Sequence, residues 1–263
     1  MPRVRVGDCE LFVADEGRGP PLLLVHGFPL DHAMWKHQIK AFARDCRVIA
    51  PDLRGFGQSD VTPGVVSMEQ FADDLAALLD ALGVSEPVTF CGLSMGGCIA
   101  WQFWIRHAPR LSRLVLCDTR AIADSDEVAR GRRVTAERVL QEGPAVVADA
   151  MLGRLFCEAT CREQPELVVE LRRVIFATNS DGIAAALRGM AQRPDVTARL
   201  AEINLPTLVL CGEHDEISPV PEMRGIAEKI PAAEFVVVPN AGHMAPLEQP
   251  AIVNDALGRF LRS

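Results

Sequence analysis

Six short apolar runs constrain this chain more than any other feature: Pro21 to Val25, Arg47 to Ala50, Val88 to Cys91, Leu114 to Cys117, Thr207 to Cys211 and Phe235 to Val238. A strand with one wet face alternates polar and apolar residues. These runs do not alternate, so both their faces must be covered, as in a parallel sheet with helices on each side. Most of them are separated by helical patterns. Ahead of them, Val4 to Val6 and Glu10 to Ala14 alternate about Gly7-Asp8 and predict an opening β-hairpin. The expected fold is a mostly parallel, doubly wound α/β sheet of about eight strands, with its ligand site at the carboxyl ends of the strands. A chain of 263 residues is long enough to bury such a core.

Ser67 and Gln70 stand in capping-box spacing and open a helix to Leu82 that places Phe71, Leu75, Leu78 and Leu79 on one face. Gly83 ends it. Between Arg120 and Arg199 the strand pattern disappears, and helical periodicity takes over in Leu167, Val168, Leu171, Val174, Ile175, Ile183, Leu187 and Met190. Strands resume at Thr207. The expected organisation is therefore a core in two parts, residues 1–119 and 200–263, with a helical cap over 120–199 inserted after the sixth strand and lying above the site.

Twenty-seven basic against 35 acidic residues leave a net charge of −8, which disfavours nucleic acid and anionic membranes as partners. A small-molecule substrate is expected, while homo-oligomerisation is left open. The eight cysteines contain no CxxC, and in apolar surroundings they read as reduced core thiols; neither a metal nor a cofactor is expected. The opening MPRVRVGDCELFVADEG lacks an apolar h-region, and no stretch approaches the roughly 20 apolar residues of a membrane helix. A cytoplasmic protein is the expectation.

Cys91-Gly92-Leu93-Ser94-Met95-Gly96-Gly97 follows an apolar strand and opens a helical pattern through Ile99 and Phe103. In that setting GxSxG reads as a nucleophile elbow: small residues on either side let the chain turn sharply, exposing the hydroxyl and aiming the Met95 N–H at a developing oxyanion. A serine needs a histidine base, and the base needs a carboxylate. His243, in the loop after the last apolar run, is the candidate base, and Asp215, after the Thr207 run, the candidate acid; Glu213 and Asp118 are its rivals. The second oxyanion donor is expected from His26-Gly27-Phe28-Pro29-Leu30, where Pro29 has no N–H and Phe28 supplies one.

HGFPL, Asp52-Leu53-Arg54-Gly55-Phe56-Gly57-Gln58-Ser59, CGLSMGG, CGEHD and NAGHMAPLEQP together resemble the α/β-hydrolase superfamily along nearly the whole chain. HGFPLDHAMW and CGLSMGG are similar to small bacterial carboxylesterases, 3-oxoadipate enol-lactonases and cofactor-free haloperoxidases or perhydrolases, although Phe28 stands where the haloperoxidase-like members typically carry Trp. The resemblance implies a Ser94, Asp215, His243 triad and an acyl-enzyme mechanism on small esters or lactones. It disfavours dehalogenases and epoxide hydrolases, which need an aspartate at position 94. Gly27, Phe28, Trp35 and Asp118 are the candidate pocket residues, and Arg120 or Arg188 a candidate for a substrate carboxylate. Carbon-carbon bond hydrolysis of a diketone, or a slow receptor with the same triad, would carry the same motifs.

Overall fold

The computed structural model describes residues 3–263, and their strands are β1 (Arg3–Val6), β2 (Cys9–Gly17), β3 (Pro21–Val25), β4 (Arg47–Pro51), β5 (Val88–Leu93), β6 (Leu111–Cys117), β7 (Thr207–Gly212) and β8 (Ala233–Val238). They form one sheet in the order β1-β2-β4-β3-β5-β6-β7-β8. Met1 and Pro2, which open the expected first core segment, lie outside the described residues. The pairs β1·β2 and β2·β4 are antiparallel, and every later pair is parallel.

Both faces of the parallel strands are covered, which is why their sequences do not alternate. Leu22 and Leu24 pack with Trp35 and Val48 under α1 (Lys36–Phe42), which meets the chain's last helix, residues 250–262, on that side. Leu23 and Val25 face the other way, into the cluster of Phe71, Leu75, Ile99, Phe103 and Met223 from α2 (Met68–Ala81), α3 (Met95–His107) and the helix over residues 220–229. Among the described residues, no helix is long and apolar enough to cross a membrane. All eight cysteines are free thiols, seven of them buried.

The capping box expected at α2 forms only in half. Ser67 Oγ accepts the Gln70 N–H at 3.2 Å, but the Gln70 side chain turns forward to Asp74 Oδ1 at 2.9 Å instead of back to the Ser67 amide. Asp74 draws it because Asp74 is a buried anion. Arg54 grips this carboxylate through Nε and Nη2, both at 2.8 Å, and a bridge to Asp8 adds to the hold. These bonds, Asp74's first, raise the Arg54 guanidinium above its already high ordinary value.

Among the described residues, five α-helices follow β6 before the sheet resumes: α4 (Asp126–Glu142), α5 (Ala145–Leu155), α6 (Glu158–Glu163), α7 (Pro165–Ala177) and α8 (Ser180–Met190). Leu167, Leu171 and Ile175 of α7 join one core cluster, and Ile183, Leu187 and Met190 of α8 the other. Helix α8 lies directly on the backbone below it. The Val66 N–H donates to Ala185 O at 3.2 Å, and a Cβ at Gly189 would collide with the Val66 carbonyl. The chain closes with α9 (Val220–Lys229), α10 (Ala245–Glu248) and α11 (Pro250–Arg262).

Because β3, β5, β6, β7 and β8 are neighbours and parallel, the loops after all five emerge at one edge of the sheet. The buried Arg54–Asp74 pair fastens the loop after β4 to α2 beside that edge. Asp74→Ala, which strands a buried guanidinium, is expected to cost about 3 kcal/mol in urea unfolding. Asp8→Ala, at the exposed partner, is expected to leave the urea midpoint almost unchanged.

Candidate active site

Ser94 sits between β5 and α3 with φ 55° and ψ −111°, a backbone state that a non-glycine residue adopts only under constraint. Its N–H donates to Cys117 O at 2.9 Å, and its carbonyl accepts Thr119 Oγ1 at 2.7 Å. The sharp turn needs bare neighbours. A Cβ at Gly92 would meet the Gly96 carbonyl, and one at Gly96 the Val25 carbonyl.

His243 Nδ1 lies 2.8 Å from Asp215 Oδ2, and both side chains are almost fully buried. Asp215 also accepts from Ser218 Oγ at 2.6 Å, Ile217 N at 2.7 Å and Ser218 N at 3.2 Å. Burial works against the charge on Asp215, but the hydrogen bond and charge of His243, followed by Ser218 and the Ile217 amide, outweigh it and hold the carboxyl at about 2. With Nδ1–H committed to Asp215, Nε2 is the nitrogen free to act as a base. Ser94 and His243 line one cleft of about 50 Å³. Their side chains are not hydrogen-bonded to each other.

Of the rival acids, Glu213 is half exposed and accepts the Asn240 N–H, away from His243. Asp118 lies behind Asp215 and accepts the Gly212 N–H at 2.7 Å. Among the histidines, His32 pairs with Asp52 and His107 with Asp73. His26 is wholly buried and fixes the loop after β3: Nδ1–H donates to Gly27 O at 2.9 Å, and Nε2 accepts Leu53 N–H at 2.9 Å. Burial lowers its pKa, in keeping with the neutral form that this bonding requires. Gly27 lies against Ser94, and a Cβ there would stand 3.5 Å from Ser94 Cβ. Among the described residues, neither the Phe28 N–H nor the Met95 N–H has a hydrogen-bond acceptor.

Two expectations for the pocket are corrected. Trp35 is fully buried in the core with Leu24, Leu93 and Met244 and does not line the cleft; its indole continues the packing under α1. Arg188 is tied to Glu137 at 2.6 Å and to Gly64 O at 3.0 Å, also outside the cleft. Asp118 and Arg120 do line it, with Arg120 paired to Glu222 at 2.8 Å.

Sequence reasoning placed neither Arg193 nor Arg132 at the cleft. Both guanidiniums turn inward to share the buried carboxylate of Asp124, and Arg193 Nε has no partner among the described residues. It also missed Ser218, Thr119 and Glu248. Glu248 binds the Gly242 N–H at 2.7 Å and the Cys157 N–H at 2.9 Å, fastening the His243 loop to the inserted helices. A hydroxyl three residues after an acid was the available signal for Ser218; Glu248 left none.

The sequence matches the family described as the alpha/beta hydrolase fold over residues 20–250. It is 29% identical to 3-oxoadipate enol-lactonase 1 of Acinetobacter baylyi across 93% of this chain and 89% of that one. A thermophilic esterase from Thermogutta terrifontis, solved with malate bound, superposes with a TM-score of 0.97 at 48% identity, covering 99% of this chain and 97% of that one. The enol-lactonase from Burkholderia xenovorans LB400 superposes at 0.92 with 30% identity over the full length of both. Sheet order, elbow and family match agree: the chain belongs to the α/β-hydrolase fold family.

Proposed function

We propose that this chain hydrolyses carboxylic esters or lactones with small acyl groups through an acyl-enzyme formed on Ser94. The observation that carries this is the buried His243–Asp215 hydrogen bond opening onto the cleft shared with the Ser94 elbow. His243 Nε2 takes the hydroxyl proton as Ser94 Oγ adds to the substrate carbonyl. The oxyanion is received by the Phe28 and Met95 N–H groups, with the N-terminus of α3 adding a favourable dipole. The imidazolium then protonates the leaving alcohol, and water, activated by the same histidine, releases the acid. Asp215, held at about 2, stays ionised throughout.

Ser94→Ala and His243→Ala should each remove nearly all activity on p-nitrophenyl esters while leaving thermal unfolding intact. Asp215→Asn should lower kcat by about 10⁴ through the wrong imidazole tautomer. A variant Asp118→Asn more damaged than Asp215→Asn would transfer the acid role to Asp118.

The small cleft sets the acyl size. Each buried methylene contributes about 0.8 kcal/mol, or roughly fourfold in kcat/KM, until the space is full. Activity should therefore peak at acyl chains of about two to six carbons, and a steady rise through long chains would contradict a closed cleft. Diketone cleavage without ester turnover would move the chain to carbon-carbon hydrolysis on the same fold.

The arginines favour a substrate that itself carries a carboxylate. Arg132 and Arg193 share one counter-ion, so the cleft wall keeps a positive surplus, and the similar Thermogutta esterase was solved holding a dicarboxylate. A charge-assisted hydrogen bond contributes about 1.5–3 kcal/mol. A hemiester of a dicarboxylic acid should thus outrun a size-matched neutral ester by about tenfold or more in kcat/KM, and Arg132→Gln should erase that ratio. A ratio near one in the unmodified enzyme would remove the carboxylate from the reading.

A further inference from the structure

Asp118 has a chemical problem that the hydrolytic mechanism does not use. Its side chain is completely buried, Oδ1 accepts the Gly212 N–H, and Oδ2 has no partner among the described residues. One of its carboxyl oxygens, one of Asp215 and Cys211 Sγ lie within 4.8 Å of one another. Two carboxylates cannot both stay charged this close without a cation between them. Asp215 receives four hydrogen-bond donors and Asp118 one, so Asp215 takes the charge. The backbone at Asp118 is left-handed, φ 46°.

Resting on the reading of His243 and Asp215 as the relay, we propose that Asp118 is a positioning residue held as the neutral acid. Through Gly212 it ties down the end of β7, from which the Asp215 loop departs, and by staying uncharged it keeps a second anion away from His243. Burial first, and then the charge of Asp215, push the Asp118 carboxyl well above the usual range, with the Gly212 amide opposing. The other titratable groups around it are Cys117, Cys211 and His243, and the cations along the same cleft are Arg120, Arg132 and Arg193. None of the three arginines hydrogen-bonds to Asp118; their bonded partners are Glu222 and Asp124. An ionised Asp118 would favour the imidazolium form of His243, which cannot accept the serine proton.

Asp118→Asn tests the charge, because asparagine suits φ 46°, keeps an oxygen for Gly212 and cannot ionise. A group whose pKa is raised on folding contributes stability at low pH that is lost as pH rises: the unfolded wild-type chain releases a proton that the folded one retains. That costs tenfold in the folding constant per pH unit above about 4. In urea unfolding, the folding constant of Asp118→Asn relative to wild type should therefore rise about 100-fold between pH 5 and pH 7. A ratio that does not change with pH would mean that Asp118 is ionised in the fold, and would overturn the proposal. The acid limb of kcat/KM should stay within about 0.3 pH unit in Asp118→Asn. A shift of one unit or more to lower pH would show that an anion had been removed, and would overturn it equally.

Asp118→Gly, which also fits the backbone, should lower kcat about tenfold with little change in KM, and an unchanged kcat would refute the positioning role. The unfolding ratio is independent of catalysis. If it appears while Ser94→Ala remains active, the neutral acid stands and the hydrolytic reading falls.

Discussion

A serine held at φ 55° and ψ −111° is the constraint around which the rest of this molecule is arranged. The turn is open only to a chain whose flanking positions bring no side chain into the space, and Gly92 and Gly96 meet backbone carbonyls where a Cβ would stand. It persists because it is tied on several sides: to β6 through Cys117 O, to the turn after β6 through Thr119 Oγ1, and to the body of the sheet through α3. A parallel sheet buried on both faces supplies the rigidity this requires. The cost of the strained conformation, of order 1–3 kcal/mol, is small beside the burial of the strand residues around it.

Charge placement follows from the same geometry. At this edge of the sheet the side chains of Asp118, Asp215 and Asp124 are all buried, so each carboxylate is either paired or neutral. Asp215 has His243 and three further donors, while Asp124 has two guanidiniums. Asp118 has a single amide, and it alone of the three is pushed upward. The inserted helices are part of this balance rather than an accessory: Arg132 lies on α4, and Glu248 reaches from the core to the Cys157 amide.

What was legible in the sequence is what local chemistry and chain order dictate. Unalternating strands announce a sheet covered on both sides, and strand-turn-helix around Ser94 announces the elbow. Loops after successive parallel strands must emerge at one edge, so order along the chain singled out Asp215 and His243, and the fold brings those side chains to 2.8 Å. Features set by tertiary packing were not legible. Trp35 follows the loop after β3 closely in sequence, but the chain turns it under α1 into the core. Arg132 looks like any surface arginine until Asp124 is seen to be buried opposite it. The Gln70 half of the α2 capping box was lost to Asp74, an interaction dictated by Arg54 from another segment.

The proposed hydrolysis requires that the reaction pass through an ester bond on one residue. The most direct measurement is rapid acid quench of the enzyme during turnover of p-nitrophenyl butyrate, followed by peptide mass spectrometry. A butyryl adduct is expected on the peptide containing Ser94, matched by a burst of one p-nitrophenol per active site if deacylation is the slower step. An adduct on any other residue would contradict the acyl-enzyme mechanism on Ser94.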